Sequence, residues 1–225
     1  MLTQAIGQVL PAAVGVALSP IPIVAVVLML ATPKARTNGP AFAVGWVLGL
    51  SVVSVIVVFA TSNAADSSAS TTADTVNWVQ VGFGLLFLVM AGRQWKGRPK
   101  PGEEAEMPAW MAGVDSVEPA KAFGLGILLS AVNPKNLALT FAAAASIAQA
   151  GMSDGDEFVA IAVFVVLASV TVAGAVLFYV VAPAKASGPL TAVKEFMAEH
   201  NAVIMMVILL LLGAKLLGEG LVVAS

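Results

Sequence analysis

Six stretches of this chain are long and apolar enough to cross a lipid bilayer, and this restricts its fold more than any other feature. They lie at about 5–31, 41–60, 76–95, 120–149, 157–182 and 196–217. A span needs about 20 mostly apolar residues. Inside hydrocarbon every backbone N–H and C=O must find a partner within the protein, so such stretches are predicted to be helices. Composition agrees with that reading. Of the 225 residues, 59% are hydrophobic and 11% are charged, where a soluble domain carries about 25% charged residues. A net charge of −2 gives a nucleic acid nothing to hold. The absence of cysteine removes disulfides, thiolate metal sites and thiol relays. The first apolar run has no Lys or Arg before it and is too long for a signal peptide, so it is predicted to be a retained span.

Lys and Arg order the loops. Nine of the 11 fall on one side: Lys34 and Arg36, then Arg93, Lys96, Arg98, Lys100 and Lys121, then Lys185 and Lys194. The Ser/Thr/Asp-rich loop at 61–75 and the short "GMSDGDE" loop hold none. The positive-inside rule then places both termini outside and the basic loops in the cytoplasm, in the cell's inner (plasma) membrane. The connections "ATPKARTNGP", "KGRPKPGEEAEMPAWMAGVDSVEP" and "APAKASGPLTAVKE" read as loops. Within the second of these, 108–118 reads equally as a short amphipathic piece or an ordinary loop.

The chain also repeats itself. "GVALSPIPIVAVVLML" in the first span matches "GILLSAVNPKNLALTF" in the fourth, "LGLSVVSVIVVF" matches "VLASVTVAGAVLF", and "LLFLVMAGRQW" matches "MVILLLLGAKL". Three spans repeated once reverse direction. The predicted fold is therefore an all-α polytopic membrane protein, with six transmembrane helices as a 3+3 inverted repeat. Residues 1–95 form the first three-helix repeat, 96–119 a cytoplasmic connection, and 120–225 the second repeat. In such folds the substrate sits near the midplane, on broken helices at the repeat interface.

Two proline-centred breaks occupy matching places. Pro20 and Pro22 interrupt the first span and Pro134 the fourth, between Asn133 and Lys135–Asn136. A proline removes its own N–H and displaces the carbonyl four residues back, which predicts freed carbonyls at Val16, Leu18 and Ser130. Ser19, Ser130, Asn133 and Asn136 can serve those groups locally, with Lys135 snorkelling to an interface. They can equally line a wet cavity together with Lys135. The matched position of the breaks, one of them beside an ionisable residue, favours a transport site. The predicted substrate-binding set is Ser19, Pro20, Pro22, Ser130, Asn133, Pro134, Lys135 and Asn136. Ser51, Ser54, Ser169 and Thr171, polar sites in the second and fifth spans, are candidates for the pathway. Lys135→Met is expected to fold at least as well as the parent and to lose transport.

"SPIP", followed by "TPKARTNGPAFAVGWVLGL" and later "NPKNLALTFAAA", resembles the lysine exporter superfamily, whose members pair a Pro-x-Pro break with an Asn-Pro-Lys motif. The resemblance covers essentially the whole chain. It is closest to the actinobacterial peptidoglycolipid-addressing proteins, which are similar in "SPIPI", in "NGPAFAVGWVLG" and in the Pro-x-Trp segment "MPAWMAGVDSVEPAKAFGLG". That resemblance implies export of a glycolipid-type substrate toward the cell surface. Amino-acid exporters usually show Pro-Gly-Pro, and the bulkier Ile21 between Pro20 and Pro22 counts against an amino-acid-sized site.

Other chemistries lack residues. Asp66, Asp74, Asp154, Asp156 and Glu157 fall in loops or at span ends, and "SDGDE" reads as a solvated cluster rather than a calcium loop. His200 reads as a surface residue near the start of the sixth span. No nucleophile–base pair stands at membrane depth, so no enzyme activity, cofactor or metal is expected. Trp78 and Trp95 mark the ends of the third span, Trp46 is a packing residue, and Gly45 and Gly49 suit a close helix approach, with Gly82 a partial second instance. The expected partners are membrane lipids, a lipid-like or small-molecule substrate and lipid-export machinery, with homo-oligomerisation open. Two alternatives stand beside the lipid exporter: an exporter of small amino-acid-like solutes, and a non-transporting scaffold for lipid export.

Overall fold

The computed structural model describes residues 1–67, 78–98 and 117–221, all helix and short connections, with no strand among them. The elements are α1 (Leu2–Ala17), α2 (Pro20–Leu30), α3 (Ala35–Ser67), α4 (Trp78–Lys96), α5 (Pro119–Ile127) with a π segment (Leu128–Val132), α6 (Pro134–Gln149), α7 (Asp154–Val181), α8 (Pro183–Glu199) and α9 (Asn201–Leu221). Three stretches are single helices long and apolar enough to cross a membrane: Ala35–Thr61, Asp154–Val181 and Asn201–Gly218. Two bent pairs raise the number to as many as five: α1 with α2, at 52°, and α5 with α6, at 61°. The described part of the third apolar stretch, α4, carries Gln80, Arg93, Gln94 and Lys96 and is not among them. The predicted amphipathic piece at 108–118 lies outside the described residues except for Val117 and Glu118.

Proline starts helices here more than it bends them. Ser19 before Pro20 has φ −73° and ψ 110°, and Asn133 before Pro134 has φ −59° and ψ 119°. A residue preceding proline is pushed out of the α region by the ring, so the helix ends there. The proline itself suits the first helical position, where no N–H is needed. Glu118 before Pro119 is extended for the same reason.

Several stretches read as loops are helical. α3 starts at Ala35, inside "ATPKARTNGP", and α8 takes up most of "APAKASGPLTAVKE". The acidic "SDGDE" is the start of α7. Ser153 Oγ accepts from the Asp156 N–H at 3.3 Å, and Asp154, Asp156 and Glu157 occupy the first turn. A hydroxyl cap and carboxylates both suit the positive end of a helix. Just before it the chain turns at Gly151, with φ 59°.

The chain forms two compact units, Met1–Ala64 with Glu106–Ala198, and Ala65–Ala105 with Glu199–Ser225. In the first, α3 crosses α5 on glycine. A Cβ on Gly126 would strike the Phe42 carbonyl and lie 2.8 Å from the Trp46 nitrogen, and one on Gly45 would strike the Phe123 carbonyl. Phe42 and Trp46 are fully buried here. One turn along α3, Gly49 accommodates the Ser130 hydroxyl. This unit holds both breaks.

The second unit pairs α4 with α9. A Cβ on Gly84 would lie 2.8 Å from Leu217 and 3.0 Å from the Gly213 carbonyl, whereas Gly82 faces open space. The close approach therefore uses Gly84 and Gly213, not Gly82. Gly84→Leu is expected to destabilise the detergent-solubilised protein by about 1–3 kcal/mol through overpacking. Gly82→Leu should leave the thermal melt unchanged, and equal melts for the two variants would refute the crossing.

Candidate functional site

The end of α1 sets the problem that the site solves. The last four carbonyls of a helix have no partner of their own, and in α1 they belong to Val14, Gly15, Val16 and Ala17. Backbone takes two of them: Leu18 N–H donates to Val14 at 2.9 Å, and Ser19 N–H to Val16 at 3.1 Å. Side chains of distant helices take the others. Lys135 Nζ donates to the Gly15 carbonyl at 2.7 Å, and Thr171 Oγ1 to the Ala17 carbonyl at 2.6 Å. The start of α2 needs little in return. Pro20 and Pro22, both buried, carry no N–H, and Ile23 N–H reaches the Ser19 carbonyl at 3.3 Å.

The second break is built differently. Ahead of Pro134 the helix widens into the π segment, so that Asn133 N–H donates to the Leu128 carbonyl at 3.1 Å. Widened turns of this kind are frequent at functional sites. Asn133 then caps α6, its Oδ1 accepting from the Lys135 N–H at 3.1 Å. Asn136 Nδ2 turns back to the Leu129 carbonyl at 2.9 Å, and Ser130 Oγ donates to Ile127 at 3.1 Å. Side chains at the breaks therefore donate to the carbonyls of Gly15, Ala17, Ile127 and Leu129, and of the three carbonyls expected to be freed, Val16 is taken by the Ser19 N–H. The helices stop rather than kink, with a tightened last turn at Ser19 and a widened one at Asn133.

The two breaks bond to each other. Lys135 Nζ donates to Ser19 Oγ at 2.6 Å, and Ser19 Oγ donates to Asn136 Oδ1 at 2.8 Å. Ser19, Ser130, Lys135 and Asn136 are all buried, Lys135 at 4% exposure. Bonds in such a chain polarise one another in a low dielectric. Lys135 stands in the first turn of α6, where a cation is disfavoured by the helix dipole. Its ammonium reaches instead to the carbonyl end of α1, where a cation is favoured. No carboxylate among the described residues is paired with it; Gly15 and Ser19 are its side-chain partners. In its protonated form the amine has three N–H donors, one more than the two contacts it makes here.

The other predicted residues divide. Thr171 joins the network through α1. Ser51 and Ser54 bond back to Val47 and Leu50 of their own helix, both at 2.8 Å. Ser169 is buried without a partner for its hydroxyl. Thr140, missed by the sequence reading, is likewise fully buried and unpartnered. Its position four residues after Asn136, on the same face of α6, was the available signal. Among the described residues no group of three or more His, Asp or Glu is placed to hold a metal ion.

No curated protein and no solved structure matches the chain. A family model described as "Sap, sulfolipid-1-addressing protein" matches residues 9–222, a range that takes in both breaks and all of α2 to α9. With nearly the whole length matched, and with helices apolar enough to cross a membrane, the chain belongs to the sulfolipid-1-addressing protein family, membrane proteins tied to the addressing of a sulfolipid.

Proposed function

We propose that the chain is a six-span transporter of the lysine exporter superfamily, built as a 3+3 inverted repeat, which moves a glycolipid-type substrate toward the cell surface by alternating access around its two breaks. The first repeat is 1–95, the cytoplasmic connection 96–119 and the second repeat 120–225. The substrate site comprises Ser19, Pro20, Pro22, Ser130, Asn133, Pro134, Lys135 and Asn136, with Ser169 and Thr171 flanking the pathway. The observation that carries this reading is the buried amine of Lys135, held where two broken helices meet by the Gly15 carbonyl and the Ser19 hydroxyl. The two unpaired hydroxyls of Thr140 and Ser169 add to it. At 4% exposure Lys135 cannot be reached by a ligand unless α1 or α6 moves, so the conformation is read as occluded. An anionic head group fits the site, because a protonated Lys135 with no carboxylate paired to it among the described residues and the positive ends of α2 and α6 all favour negative charge.

The direct test is reconstitution of the purified protein in vesicles with a fluorescent sulfated glycolipid in one leaflet. Protein-dependent movement to the other leaflet is expected. Folded protein that moves no lipid would favour a scaffold for export machinery instead, and accumulation of free amino acids would favour the small-solute exporter.

The distribution of Lys and Arg supports an orientation in the plasma membrane with both termini outside. A cysteine at Ser68, in a chain with no native thiol, should therefore react with an impermeant maleimide added to intact cells. Reaction only after the cytoplasmic side is opened would reverse the orientation.

A further inference from the structure

The helix α8 follows α7 after a single residue, Ala182, and ends just before α9. Successive residues of a helix turn by about 100°. On that spacing Ala186, Pro189, Leu190, Ala192, Val193, Phe196 and Met197 share one side of α8. Ser187, Thr191, Lys194, Glu195 and Glu199 share the other. Only part of the apolar side is covered by protein. Ala186 and Leu190 are buried, whereas Pro189, Ala192, Val193 and Phe196 are exposed, Val193 at 42% and Phe196 at 53%.

An exposed apolar strip is thus left on α8, and the end of α7 is exposed too, at Leu177, Val180 and Val181 in the last turns before Ala182. These residues end a 28-residue helix, which at 1.5 Å per residue is about 42 Å long and outreaches a hydrocarbon core of about 30 Å. A helix of that length with its acidic first turn in one head-group layer would bring its other end, and with it the start of α8, to the opposite layer. Pro189 argues for the same depth. It has no N–H for the Lys185 carbonyl, and that group would be costly to strand in hydrocarbon but is readily met by water among head groups. Lys185 stands within the strip, where its stem can lie along apolar surface with the ammonium at the phosphates.

We propose that α8 is an interfacial helix, lying along the membrane plane with Pro189, Ala192, Val193 and Phe196 sunk into the boundary between head groups and acyl chains. Its partner is the lipid surface itself. Two lysines and two glutamates on the helix balance each other, so apolar burial holds it in place rather than attraction to anionic lipid.

Single cysteines at Ala192, Val193, Thr191 and Glu195 of the full chain, each spin-labelled in vesicles of phosphatidylcholine and phosphatidylglycerol, test this. Collision rates with oxygen, which concentrates in lipid, and with a water-soluble nickel chelate are compared. Labels at 192 and 193 should show a several-fold lower nickel rate than those at 191 and 195, with a higher oxygen rate. Equal nickel rates on the two faces would place α8 in water and overturn the proposal. Low rates for both reagents at 192 and 193 would mean a protein cover, and would overturn it as well.

Discussion

Lys135→Met is expected to abolish transport while leaving most of the protein folded. Two opposing terms set the stability. Removing the ammonium relieves the cost of burying a cation, about 2.5–3.5 kcal/mol on the scale that applies if Lys135 lies at membrane depth. It also strands the Gly15 carbonyl and removes a donor from Ser19, at about 1–3 kcal/mol for each unsatisfied buried group. The terms nearly offset, so the sequence-based expectation of folding at least as well as the parent gives way to folding about equally. Transport has no such offset, because the donor disappears with the charge. Lys135→Arg should restore activity only in part, since a planar guanidinium is larger and does not release a proton. Glycolipid movement in vesicles, normalised to folded protein, decides the matter. Full activity in Lys135→Met would reduce the residue to a cap on α1.

Gly126→Val should have the largest effect on folding. Its side chain would meet the backbone of α3 at Phe42 and Trp46, and backbone cannot rotate away as a side chain can. Overpacking costs about 1–3 kcal/mol and occasionally more; here the upper end is expected, with α3 and α5 forced apart. Because Ser130 rests on Gly49 along the same crossing, the π segment should lose its seat too. Gly124→Val, two residues away on a face with nothing within 4 Å, is the control and should express and melt like the parent. A Gly126→Val protein that melts with the control would show that the helices tolerate separation.

The positions of the breaks were legible because proline acts through local sterics: Ser19 and Asn133 each precede one, and each leaves the α region. The acceptors were not legible. Gly15, Ala17 and Leu129 contribute backbone oxygens, and which carbonyl is left over depends on whether the last turn tightens or widens. That choice is made by packing between distant helices. The helix α8 was hidden by Gly188 and Pro189, poor helix formers that a neighbouring surface can overrule. The cap on α7 was visible as Ser153 with Asp156 three residues on, although an acidic run invites reading as loop. Gly84 and Gly213 could not be told from other glycines without knowing which helices meet.

The donors that close the end of α1 come from far along the chain. Lys135 lies 120 residues after Gly15, and Thr171 lies 154 residues after Ala17. A ribosome delivers α1 to the membrane long before either donor exists, so the nascent helix must wait with two carbonyls open. During that interval α1 is expected to stay at the insertion machinery or near water rather than settle in lipid, and to take its final place only once α6 and α7 have emerged. A chain stalled before Lys135 should therefore present its first helix to quality-control proteases, and one stalled after Thr171 should not.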